Sequence, residues 1–364
     1  MTHDSPRERR TEPLLSVSDL AVHFDADAGT VRAVDGVDFE VDPGETVCLV
    51  GESGSGKTVT CETVTRLIPT PPGEVVSGEV VFDGTDLTNL SEKQLRSYRG
   101  DRIAHVFQNP GNALDPVYTV GDQLVETIRY HRDVSKATAR ERAIDLLDRV
   151  GIPNAPGRVD EYPHEFSGGM RQRVVVAMAL ANDPDLLIAD EPTTALDVTI
   201  EAQVLELLAE IQDERDMAML YVTHDLGVVA ELADRVVVMY AGKVMERGPV
   251  EDVFRRPAHP YTQALLRSMP GRGERESIGG SLPDPSDPPA GCRFHPRCPH
   301  AVEDCRTGDQ PSLHEDGVQH VSCVYYDSTS RHEAATVRDD WEDRSVSADG
   351  GRPHDGRVDD GGNQ

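Results

Sequence analysis

The segment with the clearest chemistry is G-E-S-G-S-G-K-T, which occupies residues 51–58. It follows the apolar run T-V-C-L-V and opens a helical pattern that Pro69 closes. A glycine-rich turn between strand and helix points successive backbone N–H groups at phosphate oxygens, so this context predicts nucleotide binding rather than a chance turn. Lys57 would add charge at the β- and γ-phosphates, and the Thr58 hydroxyl would bind Mg²⁺. The predicted nucleotide-binding residues are Gly51, Glu52, Ser53, Gly54, Ser55, Gly56, Lys57 and Thr58.

A second segment, D-L-L-I-A-D-E at residues 185–191, ends an apolar strand in two adjacent carboxylates. We predict that Asp190 holds Mg²⁺ and that Glu191 accepts a proton from the attacking water. A buried strand that ends in an acidic turn is common, so the segment gains its meaning from the glycine-rich loop upstream.

A third segment, F-S-G-G-M-R-Q-R at residues 166–173, precedes a helical run. Ser167, Gly168 and Gly169 at a helix start would form another anion site, which is redundant in one chain unless it serves the nucleotide of a second subunit. Taken alone, the segment is better explained as a serine N-cap followed by glycines.

The ordered set of these segments with Gln108, A-L-D (195–197) and T-H-D (223–225) resembles the ATPases of ABC transporters over residues 14–270. The resemblance implies that Gln108 contacts Mg²⁺ and the attacking water. It implies that Asp197 belongs to the D-loop and that His224 contacts the γ-phosphate. Ser167, Gly168, Gly169 and Met170 would then be the signature that acts on the nucleotide of the other subunit.

Two features narrow the resemblance to the oligopeptide/dipeptide importer branch. The signature reads S-G-G-M where the family at large has S-G-G-Q, and H-P-Y-T-Q-A-L-L (259–266) resembles the motif that follows the ATPase domain in that branch. Phe24 is the candidate for stacking on adenine, although D-A-D-A-G after it resembles a loop insertion.

The elements that must position these residues alternate between strand and helix patterns. β-like runs occur at 46–50, 103–107, 186–189, 219–222 and 236–240. Helical faces are marked by Ile200, Val204, Leu207, Leu208 and Ile211, and by Ala139, Ala143, Leu146, Leu147 and Val150. The alternation predicts an α/β domain with a mainly parallel core sheet. With the resemblance, it becomes a P-loop NTPase cassette with a RecA-like core, antiparallel β and helical subdomains, and a small cysteine-containing C-terminal extension.

Composition suggests the domain boundaries. We expect a disordered N-terminus at 1–13, the ATPase domain at 14–270 with its helical subdomain at about 109–166, and a linker with a cysteine segment at 271–326. The tail, 327–364, is rich in Asp, Gly and Arg, has almost no apolar residues, and is predicted to be disordered.

Four of the six cysteines lie in the segment 271–326: Cys292, Cys298, Cys305 and Cys323. Cys48 and Cys61 lie in apolar patterns and are interpreted as small buried hydrophobes. The spacing of the four leaves the metal open, and His295, His300 and His320 nearby keep Zn²⁺ as an alternative. The resemblance to peptide-importer subunits implies a [4Fe–4S] cluster.

The net charge is −29, with 65 acidic against 36 basic residues and four lysines. This balance argues against nucleic-acid binding, because phosphate recognition needs a positive surface. The acidity is best explained by a solvated surface. A halophile's protein is the more specific hypothesis, which low lysine with high arginine also favours, although GC-rich coding would favour arginine too.

No apolar run reaches the length of a membrane span. The resemblance therefore implies a peripheral subunit on the cytoplasmic side of the cell membrane, bound to two permease subunits. A second, paralogous ATPase subunit would pair with it, and an extracellular solute-binding protein would deliver peptides, nickel complexes or oligosaccharides. The alternative is a soluble ABC ATPase of translation or DNA repair.

Overall fold

Two β-sheets and the helices that cover them form the fold. The computed structural model describes residues 12–26, 29–108, 113–193, 198–269, 278–339 and 341. Within these ranges no helix is long and apolar enough to cross a bilayer.

The strands run in chain order from the first described residues to the cysteine segment. They are β1 (Leu15–Ala26), β2 (Gly29–Val41), β3 (Thr46–Val50), β4 (Gly73–Phe82), β5 (Thr85–Asp86), β6 (Ile103–Val106), β7 (Leu186–Asp190), β8 (Ala218–Val222), β9 (Arg235–Tyr240), β10 (Lys243–Pro249), β11 (His314–Asp316) and β12 (Gln319–Val321).

The helices occupy the intervals between these strands. They are α1 (Lys57–Val64), α2 (Glu92–Leu95), α3 (Val120–His131), α4 (Lys136–Arg149), α5 (Ala155–Arg158), α6 (Gly168–Ala179), α7 (Val198–Arg215), α8 (Leu226–Leu232), α9 (Val250–Arg255) and α10 (Pro260–Arg267). Short 3₁₀ turns lie at Pro163–Glu165, His295–Arg297 and Glu303–Cys305.

The smaller sheet is antiparallel, with strand order β2-β1-β4-β5. The larger sheet has the order β11-β12-β10-β9-β3-β8-β7-β6. Its strands from β9 to β6 pair in parallel, whereas β10, β11 and β12 are antiparallel additions at one edge. The predicted α/β class with a mainly parallel core sheet is therefore confirmed.

Local sequence accounts for the helices between β6 and β7. The Thr119 side chain accepts from the Asp122 N–H at 3.1 Å and caps α3, and Ser135 caps α4 through the Thr138 N–H at 3.1 Å. Helix α4 buries the predicted alanine and leucine face, so its partner must be the neighbouring helices. These helices lie inside the expected helical subdomain at 109–166, of which residues 109–112 lie outside the described part.

The apolar core lies on both faces of the larger sheet. One face packs against α3, α4, α6 and α7, and the other lies between the larger and the smaller sheet. Parallel strands covered on both faces contain near-continuous apolar runs, as β3, β7 and β8 do here. Cys48 and Cys61 are buried in this core as predicted.

The small C-terminal extension is integrated into the fold of the domain. Strand β12 pairs with β10, with Glu246 opposite Val321, so the cysteine segment lengthens the main sheet. Part of the expected linker also packs on the domain, since the Arg32 N–H donates to the Pro285 carbonyl at 3.0 Å. Residues 270–277 lie outside the described part.

The prediction of disorder from residue 327 onward is wrong for residues 327–339 and 341. The Val337 side chain is fully buried, and its carbonyl accepts from the Gln263 amide at 3.2 Å. Trp341 is buried and donates from Nε1 to the Arg255 carbonyl at 3.2 Å. Composition failed here because two apolar side chains suffice when distant segments cover them. Val337 packs with Ala258, Val321, Cys323 and Tyr325, and Trp341 contacts Arg255 on α9 and Arg267 on α10.

A buried carboxylate joins these C-terminal elements. Glu246 on β10 accepts from the Ala258 N–H at 2.9 Å and from the His259 N–H at 2.8 Å, immediately before α10. The side chain is fully buried, and this burial raises its pKa to about 7, against the opposing effect of these hydrogen bonds.

We predict that Glu246→Gln removes part of the pH dependence of stability. The folded-state pKa lies above the unfolded value of about 4.3, so the native state binds more protons across that window and stability falls as pH rises to about 7. Wild type should lose stability relative to the variant between about pH 5 and about pH 8. Urea unfolding across this range checks it, with the exposed Glu251→Gln as control. Parallel wild-type and Glu246→Gln curves would contradict it.

Candidate functional site

The glycine-rich loop lies between β3 and α1, as predicted. Gly51 has φ +150°, and a Cβ there would lie 2.1 Å from the Met239 carbonyl oxygen. Gly56 has φ +103°, and its Cβ would lie 2.4 Å from the Ala33 carbonyl oxygen. Both positions therefore admit glycine alone, because the loop is packed against two other strands while it turns into the helix.

Lys57 opens α1 and is folded back into the loop. Its ammonium donates to the Gly51 carbonyl at 2.8 Å and to the Glu52 carbonyl at 3.0 Å. Burial lowers the pKa of Lys57, and the carboxylates of Glu191, Asp190 and Glu52 oppose that shift. The charge thus lies inside the ring of backbone groups, where a phosphate-binding lysine is needed.

Asp190 ends β7, and its carboxylate is buried beside the loop. Burial raises its pKa, while a hydrogen bond from the Thr58 hydroxyl lowers it. Its Oδ1 atom is buried and has no hydrogen-bond partner in the part of the chain that the structure describes. Oxygen ligands are what Mg²⁺ prefers, so a carboxylate oxygen left unpaired next to a hydroxyl fits the ion predicted for Thr58 and Asp190.

Glu191 follows Asp190 and is held by two side chains from different loops. Its carboxylate accepts from the Gln108 amide at 2.8 Å and lies 3.1 Å from Nδ1 of His224. Glu191 also has φ +44°, and its N–H bonds to the Val222 carbonyl at 2.9 Å. Left-handed backbone in a glutamate is sparsely populated and is characteristic of functional sites. The structure therefore brings together three of the predicted catalytic side chains.

The signature segment lies at the start of α6. Ser167 caps the helix by accepting from the Met170 N–H at 3.3 Å, which is the ordinary structural role considered for it. A Cβ on Gly169 would lie 2.9 Å from the Ile200 side chain, so this glycine permits close packing against α7. Ser167 and Gly168 are exposed, so the surface predicted to meet a second subunit is open. Their action on a second nucleotide stays a prediction.

Two further sequence assignments lack a structural test. Asp197 lies outside the described residues. Phe24 pairs with Gly73 across β1 and β4, and a Cβ on Gly73 would lie 2.8 Å from its ring. The ring is half-buried within the smaller sheet, so its contact with adenine stays a prediction.

Two residues that the sequence analysis did not assign contact the loop at Glu52. The Tyr261 hydroxyl accepts from the Glu52 N–H at 2.9 Å, and the Arg297 guanidinium binds the Glu52 carboxylate through two hydrogen bonds. Tyr261 belongs to the H-P-Y motif, which was noted only as a mark of the branch. Nothing in the sequence connects Arg297 with a residue 245 positions away.

The predicted [4Fe–4S] cluster is not supported by the arrangement of the four cysteines. The thiols of Cys292, Cys298, Cys305 and Cys323 are neighbours: burial first, and then the charges of the other three, raise the pKa of the Cys323 thiol. Nevertheless, among the residues that the structure describes, no group of three or more His, Cys, Asp or Glu side chains is placed to hold a metal ion. The same finding gives no support to Zn²⁺.

A phosphate-binding loop after one parallel strand and a carboxylate pair after a neighbouring strand define a P-loop nucleotide-binding protein. The sequence matches the ABC transporter family over residues 34–194 and the oligopeptide/dipeptide transporter C-terminal region over residues 245–305.

Curated relatives agree with these matches. The chain is 52% identical to the oligopeptide transport ATP-binding protein OppD of Bacillus subtilis over 299 residues, which cover 81% of this chain and 84% of that protein. It is 49% identical to the dipeptide transport ATP-binding protein DppD of Escherichia coli over 304 residues, or 82% of this chain and 92% of that protein. The chain therefore belongs to the ABC transporter ATP-binding proteins, in the branch with the oligopeptide/dipeptide transporter C-terminal region.

Solved structures confirm the cassette fold predicted from the sequence. The dimeric, post-hydrolysis state of the ATP-binding cassette MJ0796 with ADP and Pi superposes with a TM-score of 0.59 at 26% identity, over 65% of this chain and 98% of that one. The cbiO1 protein of Clostridium perfringens gives 0.57 at 29% identity, over 67% of this chain and 91% of that one. None of these relatives supports the interpretation of the acidity as a halophile's trait.

Proposed function

We propose that this chain binds and hydrolyses ATP to drive the import of oligopeptides, dipeptides or a related small solute across the cell membrane. The observation that carries the proposal is the convergence of Gln108 and His224 on Glu191, one residue after the buried Asp190. The family supplies the coupling to transport, since relatives of this length and identity are named as peptide transport subunits. A soluble ABC ATPase of translation or DNA repair is not favoured.

The proposed roles follow from the positions of the residues. The N–H groups of 51–58 and the Lys57 ammonium would hold the phosphates, and Thr58 and Asp190 would hold Mg²⁺, with Gln108 as the third contact to the ion. Bound Mg²⁺ would neutralise charge on the phosphates. Glu191 would accept the proton of the attacking water, and His224 would contact the γ-phosphate.

The site needs a second ATPase subunit in this proposal. Ser167, Gly168, Gly169 and Met170 would act on the nucleotide of that subunit, and its own signature would complete the site of this chain, with Asp197 in the D-loop at the interface. We propose a related but different ATPase chain as this partner, and two permease subunits that hold the pair at the cytoplasmic side of the membrane. An extracellular binding protein would deliver the solute.

Exposed apolar side chains offer a surface for the permease. Large hydrophobic residues are mostly buried in this chain, yet Phe107, Val117, Tyr118 and Tyr130 are each at least 43% exposed. Tyr118 and Tyr130 line one cavity of about 360 Å³ with His131 and Met178. Exposed apolar side chains of this kind mark contact sites for other proteins, and Val117, Tyr118 and Tyr130 lie in the helical subdomain at about 109–166, which we propose to contact the permease.

We predict that Glu191→Gln abolishes turnover and keeps ATP binding, because the amide has nearly the same shape but cannot take a proton from water. ATPase activity of the assembled transporter should fall by roughly 100-fold or more, and ATP should trap a closed ATPase dimer in gel filtration. Glu231→Gln, on the exposed face of α8, is the matched control. Near-normal hydrolysis by Glu191→Gln would exclude it as the base.

We predict that replacing both Tyr118 and Tyr130 by Ser uncouples the subunit from its membrane partner. The variant should bind ATP normally but co-purify with the permease at roughly one tenth of the wild-type yield or less, because aromatic anchors dominate interface energies. Val318→Ser, at an exposed apolar residue outside that subdomain, serves as control. Equal recovery of both variants with the permease would place the interface elsewhere.

On the family resemblance alone, since the cysteine spacing leaves the metal open, we propose that Cys292, Cys298, Cys305 and Cys323 hold a [4Fe–4S] cluster in the cell. Its role would be structural or redox-sensing, since ATP hydrolysis transfers no electrons. Anaerobically purified protein should then carry about four iron and four sulfide ions per chain, as measured by chemical assay and the visible spectrum. Colourless protein with stoichiometric zinc would favour the alternative metal, and metal-free protein of unaltered stability would refute both.

A further inference from the structure

Glu52 places a carboxylate inside the phosphate-binding loop. It is the second residue of the loop, and its charge is felt by the Lys57 ammonium. A carboxylate there opposes a polyphosphate, since like charges a few ångströms apart repel strongly where water is partly excluded. The loop therefore needs a cation that neutralises Glu52 without occupying the phosphate site.

Arg297 supplies that cation from the cysteine segment. Its two terminal nitrogens donate to the two Glu52 carboxylate oxygens at 2.8 Å and 3.0 Å, in the bidentate geometry that makes such pairs strong. The Arg297 side chain is only 6% exposed. Because both charges are shielded from solvent and matched in shape, loss of the arginine would leave a partly buried carboxylate unpaired.

Other contacts fix the guanidinium in place. It donates to the Gly279 carbonyl at 2.7 Å and to the Ile278 carbonyl at 3.1 Å. It also bonds the Tyr240 hydroxyl at 3.2 Å and lies 5.6 Å from the centre of that ring. Every hydrogen-bonding direction of the fork has a partner, so Arg297 is placed by the C-terminal segment and by β9 independently of Glu52.

Tyr261 holds the backbone of the same residue. Its hydroxyl accepts from the Glu52 N–H at 2.9 Å, and its ring is fully buried between Tyr240 and Phe294, with ring centres 4.7 Å and 5.2 Å away. Helix α10 therefore contacts the main chain of Glu52, while the cysteine segment contacts its side chain.

The cysteine segment also reaches the far end of the loop. Arg293 is buried, donates to the Ala241 carbonyl and pairs with Asp35 on β2. Gly242, which follows Ala241 in the chain, donates its N–H to the Ser55 carbonyl at 2.9 Å. Arg293, which lies two residues before the 3₁₀ turn His295–Arg297, and Arg297, the last residue of that turn, thus brace opposite ends of one loop.

We propose that Arg297 and Tyr261 are positioning residues of the ATP site, so that the C-terminal segment completes the phosphate-binding loop. Arg297 cancels the charge of Glu52 next to the phosphates, and Tyr261 fixes the loop backbone. This inference rests on ATP binding at residues 51–58, which is part of the proposed function.

The test compares ATP affinity of the full-length chain in three variants. Arg297→Ala should weaken ATP binding by roughly tenfold or more, because Glu52 then faces the phosphates unpaired. Glu52→Gln should bind ATP no more weakly than wild type, because it removes the repelling charge. The double variant Arg297→Ala/Glu52→Gln should recover most of the affinity. Isothermal titration with Mg-ATP measures all three.

The controls separate positioning from mere stability. Arg140 forms a comparable bidentate pair with Asp160 on an exposed surface, and Arg140→Ala should leave ATP affinity unchanged. Tyr261→Phe keeps the ring and should weaken ATP binding while thermal unfolding stays close to wild type. Because Glu52→Gln would also relieve an unpaired carboxylate in the fold, ATP affinity is compared at a temperature where thermal unfolding shows every variant to be folded. A purely structural role would then leave the affinity of folded Arg297→Ala equal to that of wild type.

The outcomes distinguish a failure of the proposed function from a failure of the role assigned to Arg297. Wild type that fails to bind Mg-ATP would overturn the proposed function itself. Wild type that binds, together with an Arg297→Ala variant of equal affinity, would overturn only the inference. If Arg297→Ala does not fold, Glu52→Gln still decides: a roughly tenfold loss of ATP affinity in this variant would contradict charge cancellation as the role of Arg297.

Discussion

Parallel pairing of the central strands is the constraint on which the site depends. Asp190 on β7 and Leu49 on β3 both lie opposite Val222 on β8, and Val106 on β6 lies opposite Ala189. The carboxyl ends of all four strands therefore lie at the same end of the sheet. The glycine-rich loop, Glu191, Gln108 and His224 each follow one of these ends within two residues, so strand register alone brings them together.

The antiparallel edge of the same sheet has a different consequence. Strand β10 lies beside β9 and pairs with β12. The chain after α10 therefore returns to the side of the sheet near the glycine-rich loop. Buried Glu246 fixes the start of α10 against β10. This places Tyr261 within hydrogen-bonding distance of Glu52. The cysteine segment, which the sequence suggests is a separate extension, is thus joined to the cassette through the sheet. Its position is set by the same strands that hold the nucleotide loop.

Local patterns made much of this predictable. The strands at 46–50 and 186–190 could be inferred because continuous apolar runs end in recognisable loops, and α4 and α7 because their apolar faces repeat at helical spacing. Contacts between distant segments gave no such signal. The pair of Glu52 with Arg297 spans 245 residues, and Val337 is buried against Ala258 and Val321. Cysteine spacing pointed to a metal, but spacing constrains distance along the chain and not the directions in which thiols point.

The chain has 65 acidic residues and only 36 basic ones, so any cation can readily pair with a carboxylate. Where the arginines are placed is therefore more informative than the fact that they are paired. The partly buried arginines nevertheless lie at junctions between elements. Arg102 bridges Asp83 and Asp185, and Arg132, Arg142 and Arg215 converge on Asp183. A planar guanidinium presents its N–H donors in a rigid fork that matches a carboxylate, whereas a lysine ammonium is a point charge on a flexible stem. Arg297 follows the same rule at a junction that borders the phosphate-binding loop. Charge pairing that elsewhere joins elements there also neutralises a carboxylate of the nucleotide site.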